Sequence, residues 1–425
     1  MSSILTSANI MKMDVTLNVF TLNCWGIIGI SRHRKERMEA IASHIASSDY
    51  DFVFLQEIWS QKDFQMICKK AAAVLPYSHY FHSGVLGSGV CILSKGIIVD
   101  AAQYQYSLNG YAHKILHGDW YGGKVVGLCK VLHYGLKMNL YVTHLHAEYD
   151  AFHDQYLPHR VAQAFEFSQY VRHTSETADL SIIAGDFNTE PTDLPYKVIV
   201  HNSGCIDSYM NQKNPVVENT CVRTTCGHPD NIYTSSKELN HSPAGKRIDY
   251  ILYKCGSGTY VECLTCETPL DRIPETTIPY SDHEAVVAQL HIFKSVDAPP
   301  QPESFKSRLD AIDSSQLILR KSLKELQNSR LMYILLSCLL LALLMVTTLI
   351  DDIGAFGIII IFFQFIATIV LAFCLWMALI VNKIEYSAIM SSCKAMAILT
   401  NTLLNEYNEK LSNDLITPDC PHEII

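Results

Sequence analysis

Residues 182–188 read Ile-Ile-Ala-Gly-Asp-Phe-Asn. An apolar run that stops on Gly-Asp is a buried strand delivering a carboxylate at its end, which is where α/β architectures build sites. Five more places set polar residues at one end of an apolar run. Asn23 closes Val-Phe-Thr-Leu-Asn, Glu57 follows Phe-Val-Phe-Leu-Gln, and Thr143-His144-Leu-His146 follows an apolar run. Asp249 lies in Lys-Arg-Ile-Asp-Tyr, and Ser281-Asp282-His283 precedes Glu284-Ala-Val.

Around these points, short β-branched and aromatic runs alternate with amphipathic helical patterns. Strands are predicted at 16–22, 52–56, 90–93, 125–132, 140–143, 180–184, 248–252 and 285–292, and helices at 35–45, 63–73 and 159–172. Several strands are apolar throughout, as expected when both faces of a sheet are covered. The expectation is an α/β domain over 1–296, closed by the proline-rich linker Asp-Ala-Pro-Pro-Gln-Pro-Glu within 297–304.

Apolar residues make up 49% of the 425-residue chain and charged ones 18%, against about 25% charged in ordinary soluble domains. That composition excludes a mainly disordered chain. The excess lies at 331–350 and 356–381, two uncharged runs each long enough to cross the hydrocarbon core as a helix. Asp351 and Asp352 separate them, so a two-span hairpin is expected. Lys306, Arg308, Arg320, Lys321, Lys324 and Arg330 precede the first span, and Lys383 and Lys394 follow the second. The positive-inside rule then puts both ends, and the 1–296 domain, in the cytosol. The first twenty residues have one lysine and no apolar block before Val15, which does not read as a secretory leader.

Within 305–330, Phe305, Leu309, Ile312, Gln316, Leu319, Leu323 and Leu326 form one helical stripe. It suits a short coiled coil, a helix lying on the bilayer, or a strut on the catalytic domain, and it offers a route to a homo-oligomer, as does the hairpin. The tail, 382–425, is helical in pattern to about Leu411. Fourteen cysteines show no regular spacing. A zinc site from Cys221, Cys226, Cys255, Cys263, Cys266 and His228 is weaker than free thiols of a reducing compartment. The net charge of −9 argues against nucleic acid as a partner.

Each strand-end residue alone has a structural explanation, since Asn and Asp commonly bond their own turns. Together they supply hard oxygen ligands, two histidines that can move protons, an Asp to orient one of them, and an amide for an oxyanion. The ordered set Leu-Gln-Glu57, Gly-Asp186-Phe-Asn188, Arg-Ile-Asp249-Tyr and Ser-Asp282-His283 resembles the endonuclease/exonuclease/phosphatase superfamily over roughly 14–293. Two further stretches, 143–149 and 117–124, look like the neutral sphingomyelinases, and the hairpin looks like their membrane-anchored sphingomyelin phosphodiesterase 2 type.

The resemblance implies a deoxyribonuclease I-like four-layer sandwich, two packed mixed sheets flanked by helices. It implies Mg2+ held by Glu57 with Asn23, and Asp282 facing the metal. His283 would be the general base, Asp249 its partner, and Asp186 would position the water. Asn188 would bond a phosphoryl oxygen and His144 the phosphate. Asp119 and Lys124 match an Asp-x4-Lys element tied to substrate readiness. The implied reaction is hydrolysis of sphingomyelin to ceramide and phosphocholine at an endoplasmic reticulum or nuclear envelope membrane. The alternatives are a phospholipase C acting on lysophospholipids such as lyso-platelet-activating factor, or a non-enzymatic membrane scaffold. Tyr104, Tyr106, Tyr111, Trp120 and Tyr121 offer aromatic faces for a quaternary ammonium.

Overall fold

The computed structural model describes residues 14–114, 117–150, 153–214, 224–294, 305–349 and 357–416. The proline-rich linker, the Asp351-Asp352 turn and Cys221 lie outside the described residues. The chain divides into two compact units, Met1–Ser304 and Phe305–Ile425.

The first unit holds two six-stranded sheets. One contains β1 (Asp14–Asn23), β2 (Phe52–Gln56), β3 (Tyr77–Tyr80), β4 (Cys91–Ser94), β11 (Thr259–Glu267) and β12 (Val286–Lys294), in the order β11-β12-β1-β2-β4-β3. The other runs β5-β6-β7-β8-β10-β9, from β5 (Ile97–Gln105), β6 (Val125–His133), β7 (Leu136–His144), β8 (Leu180–Asp186), β9 (Ile206–Asp207) and β10 (Asp249–Cys255). Each sheet has one parallel pair, and each pair is joined by a helical crossover. Helix α1 (Arg34–Ser47) links β1 to β2, and α3 (Leu157–Thr174) links β7 to β8. Helix α2 (Gln61–Ala71) packs beside α1 and α4 (Leu194–Ser203) beside α3, and the short α5 (Ser236–His241) precedes β10.

Side-chain alternation explains the unbroken apolar strands. Leu17 and Val19 of β1 with Phe52 and Phe54 of β2 face Leu140, Val142, Ile182 and Ile251 across the inter-sheet core. Phe20, Leu22, Val53 and Leu55 point the other way, onto Met38, Ile41, Ile45 and Ile67 of the outer helices. On the second sheet, Tyr250 stacks on Phe187 at 5.0 Å, and Phe187 meets Phe167 of α3 edge-on. The order is helix, sheet, sheet, helix: the four-layer sandwich the motifs implied.

Each strand read from sequence is present within a few residues of its expected ends. β3, β5, β11 and the short β9 went unread. β3 has half-exposed polar positions and β5 is exposed along nearly its whole length, so neither carries the buried-strand pattern.

The second unit is helical. Helix α6 (Phe305–Thr348) has 44 residues, about 66 Å at 1.5 Å per residue. Helix α7 (Gly357–Trp376) continues through a π-turn, Met377–Val381, into α8 (Asn382–Ile416). Two helices here are long and apolar enough to cross a membrane, and Leu335, Leu339, Ile358 and Phe362 stand exposed on them. The stripe at 305–330 packs against α8. Ile312, Leu319 and Leu326 are buried with Ile389, Met396 and Leu403. The Phe305 and Tyr407 rings stack at 4.9 Å, Gln316 donates to Thr400 Oγ1 at 3.1 Å, and Asn382 donates to the Leu326 carbonyl at 2.9 Å. The stripe is thus covered by α8 of the same chain.

Candidate active site

The sheet register brings the strand ends together. In the first sheet Asn23 is level with Gln56, so Asn23 and Glu57 leave the same edge. In the second, His144 is level with Asp186, and Asp186 with Asp249. The segment entering β12 adds Asp282 and His283. Contacts cross between the two sheets. Asn23 Nδ2 donates to Glu57 Oε1 at 3.0 Å and to Asp186 Oδ2 at 2.9 Å. His283 Nδ1 lies 2.9 Å from Asp249 Oδ2, and its Nε2 lies 3.9 Å from Asp186 Oδ2. His144 Nε2 is 3.4 Å from the same oxygen. Asn23, Glu57, His144, Asp186, Asn188, Asp249 and His283 therefore form one connected cluster.

Local backbone explains the sequence words. Gly185 has φ 146°, and a Cβ there would lie 2.0 Å from the Thr143 carbonyl oxygen. Only glycine lets β8 approach β7 closely enough to carry Asp186 to His144. Asp186 Oδ1 accepts the Asn188 backbone N–H at 2.9 Å, turning the chain so that Asn188 sits at φ 48°. Glu57, at φ 57°, also occupies left-handed space. A glutamate rarely adopts that backbone, and such residues concentrate at functional sites. Gly26 N–H donates to the Glu57 carbonyl at 3.0 Å, and a Cβ on Gly26 would lie 2.2 Å from that oxygen.

Burial sets the electrostatics. It pushes the Asp186 carboxyl up to about 7, with Asp249 adding to the rise while His283 and the Asn23 bond oppose it. Burial works against charge on His283, yet Cys226 and Asp249 beside it hold the imidazole well above its usual value. His144, buried and near Lys124, is well below its own. Asp282 is raised to about 6 by burial, opposed by His283 and reinforced by Glu57. Among the described residues, no Lys, Arg or His forms an ion pair with Glu57 or Asp282. Their like charges influence each other, and one edge of Glu57 is already turned by the Asn23 amide. That donor set fits a hard divalent cation. Asp186, Asp249 and His283 also have ligand atoms within 4.8 Å of one another, a second grouping able to hold a metal ion.

Lys124, fully buried, pairs with Asp119 Oδ1 at 2.9 Å and donates to the Leu145 carbonyl at 2.7 Å. Asn188 Nδ2 donates to that same carbonyl at 2.9 Å. The Asp-x4-Lys element thus reaches the cluster through Leu145. Buried atoms without partners among the described residues include His144 Nδ1 and Asp249 Oδ1. Glu284 turns aside: its Oε1 faces Asn231 Nδ2 at 3.4 Å.

Three residues of consequence went unread in the sequence. Arg160 of α3, almost wholly buried, donates to the Asn188 carbonyl at 2.8 Å and pairs with Asp154. Arg37 of α1 is fully buried and donates to the carbonyls of Cys24, Trp25, Arg32 and Tyr280, tying the Asn23 loop to the segment before His283. Trp59 Nε1 lies 3.4 Å from Glu57 Oε2. A charge on the apolar face of a helical pattern was the available signal for Arg37 and Arg160. The aromatic stretch does not form a single wall. Tyr106 is buried against Thr143 at 2.7 Å, Tyr104 stacks on Tyr170, and Tyr111 packs with Tyr156 and His159. Cys263 and Cys266 are core residues of β11, and the described cysteines are free thiols.

A carboxylate-held imidazole, an amide and a set of hard oxygen ligands at the ends of two facing sheets define a class. The chain belongs to the Endonuclease/Exonuclease/phosphatase family, whose model matches residues 20–283. More particularly, it is 43% identical over 294 residues to sphingomyelin phosphodiesterase 2 of Homo sapiens, covering 68% of this chain and 67% of that relative. It is 34% identical over 299 residues to the inositol phosphosphingolipids phospholipase C of Schizosaccharomyces pombe, covering 65% of this chain and 68% of that one. Among solved structures, sphingomyelinase C from Streptomyces griseocarneus matches with a TM-score of 0.47 at 16% identity, over 65% of this chain and 99% of that chain. The resemblance read from the motifs is borne out, and the protein is a hydrolase of the phosphodiesterase kind.

Proposed function

We propose that the chain hydrolyses sphingomyelin to ceramide and phosphocholine by in-line attack of water, with Mg2+ as cofactor. The observation that carries this reading is the convergence of the six strand ends in one cluster, in a chain that also has two membrane-length apolar helices.

Glu57, Asn23 and Asp282 would hold the ion, which supplies charge neutralisation at a phosphoryl or leaving oxygen. The remaining work belongs to side chains. Asp249 keeps the His283 Nδ1 proton in place, so the neutral form of the ring presents its Nε2 lone pair to water. Asp186 Oδ2, 3.9 Å from that nitrogen, orients the same water. Asn188 spends one amide hydrogen on the Leu145 carbonyl at 2.9 Å, and its second, held only by a long 3.5 Å contact to Asp186 Oδ2, would turn to the phosphoryl oxygen. His144 offers its unpartnered Nδ1 to the phosphate. Lys124, with Asp119, fixes the carbonyl on which Asn188 leans.

The basic flanks of the spans support a catalytic unit facing the cytosol from an endoplasmic reticulum or nuclear envelope membrane. Self-association through 305–330 would have to displace α8, whereas the exposed span faces are open to it. The test is choline-phosphate release from sphingomyelin vesicles by the full chain, with Mg2+ and then with chelator. Lyso-platelet-activating factor and plasmid DNA are run alongside. Release from sphingomyelin that stops with chelator is expected. Faster turnover of the lysolipid or the DNA would replace the substrate, and release indifferent to chelator would remove the metal.

A further inference from the structure

Two loops beside Glu57 are uncharged: Trp-Gly-Ile-Ile-Gly-Ile-Ser at 25–31 and Ser-Gly-Val-Leu-Gly-Ser-Gly-Val at 83–90. Both push aliphatic side chains into solvent. Ile28 and Ile30 are 65% and 70% exposed, and Val85 and Leu86 are 87% and 60% exposed. Single exposed apolar residues need no explanation. The shared anchorage of these four does. Gly26 N–H donates to the Glu57 carbonyl at 3.0 Å, and the next residue, Ile58, donates its N–H to the Gly89 carbonyl at 2.9 Å. The loops therefore grip one peptide from two sides, and that peptide carries Glu57.

Neither loop is loose. Arg34 and Arg37 bond the carbonyls of Gly26 and Trp25, and Ser31 N–H returns to the Ile27 carbonyl at 3.1 Å. In the second loop, Leu86 N–H donates to the Tyr121 carbonyl and Gly123 N–H to the Gly87 carbonyl, each at 3.2 Å. Firmly held backbone presenting bare aliphatic tips holds them exposed, with no covering partner among the described residues of this unit.

We propose that Ile28, Ile30, Val85 and Leu86 insert into the headgroup region of a lipid bilayer and seat the Glu57 edge of the site on it. This deepens the lipid-phosphodiester reading and rests on it. The scissile bond of a bilayer lipid lies at headgroup depth, and lifting the lipid free would expose its chains to water. A site that meets the bilayer through apolar, uncharged loops avoids both that cost and the desolvation of charged groups. A protein partner fits less well, because protein interfaces draw on Tyr, Trp and Arg anchors, with Leu and Val under-represented. The two apolar helices already hold the chain at a membrane.

The test uses the full chain reconstituted in phosphatidylcholine/sphingomyelin vesicles, comparing I28D/I30D and V85D/L86D with wild type. Val99 is equally bare, but it follows Ile98, which pairs through Val131 to Met138, far along β7 from His144. V99D is therefore the control. On vesicle sphingomyelin each double variant is expected to lose about tenfold or more, and on a monomeric short-chain sphingomyelin to stay within about twofold. V99D should match wild type on both. Equal loss on both substrates, or no loss on either, overturns the proposal. An I30W chain adds a readout independent of turnover: its added fluorescence should be quenched by brominated phosphatidylcholine, and absence of quenching also overturns it. If wild type cleaves neither sphingomyelin, the substrate reading fails while the quenching result still decides the docking.

Discussion

The two units depart from the ordinary protein pattern in opposite directions. The catalytic unit buries what is usually exposed: Asp186, Asp249, Lys124 and Arg37 are all 1% exposed or less. The helical unit exposes what is usually buried, with Ile358, Phe362 and Phe365 standing out from α7. Buried charge costs several kcal/mol unless it is paired, and apolar helix surface of this length suits a bilayer. Each departure therefore marks a function. In one unit the environment makes chemistry possible, and in the other it chooses the solvent.

The sharpest break in that contrast comes from His283→Ala. If the buried polar cluster exists for catalysis, turnover should fall by about a thousandfold or more, with the thermal midpoint nearly unchanged. A variant that melts much lower while keeping proportionate activity would make the cluster structural. In the helical unit the corresponding probe is Ile369→Arg, at an exposed position in the middle of the apolar run 356–381. A charge at mid-span costs roughly 3 kcal/mol, so the variant should become extractable from membranes by alkaline carbonate. Continued resistance would mean α7 does not face lipid at that position.

Much of this was readable because the sheet and the site share one pattern. An apolar run bounded by Asn, Glu, His or Asp names both a buried strand and its functional end: Asn23, Glu57, His144 and Asp186 stand where such runs stop, and Asp249 where one starts. What escaped was non-local. Arg160 acts on the carbonyl of Asn188 and Arg37 on four carbonyls from three segments. Backbone acceptors carry no sequence signature. The 305–330 stripe showed its periodicity but not its partner, since periodicity gives a face and not what covers it.

Arg160 tests whether such hidden contacts matter. Arg160→Met keeps the packing stem and removes the donor to Asn188. Release of that carbonyl should cost about ten- to thirtyfold in kcat, with KM little changed, while Arg160→Lys recovers part of the loss. A fall in KM and kcat together with a lowered melting midpoint would make Arg160 only a packing residue.

The smallest effect concerns stability. His146 is wholly buried; burial lowers its pKa to about 4, with Asp119 opposing and Lys124 assisting. Its Nδ1 bonds the Ala147 carbonyl at 2.8 Å. A histidine depressed in the fold takes its proton first in the unfolded chain, so stability is present above the unfolded value near 6.5 and is lost as pH falls toward 4. Over the single unit from pH 6.5 to 5.5 this amounts to about 1 kcal/mol. His146→Gln removes the titration and keeps a polar side chain. Its melting midpoint should therefore decline less steeply than wild type across that interval, with activity at neutral pH largely retained. Parallel curves for the two proteins would show that His146 contributes nothing to the acid sensitivity of the catalytic unit.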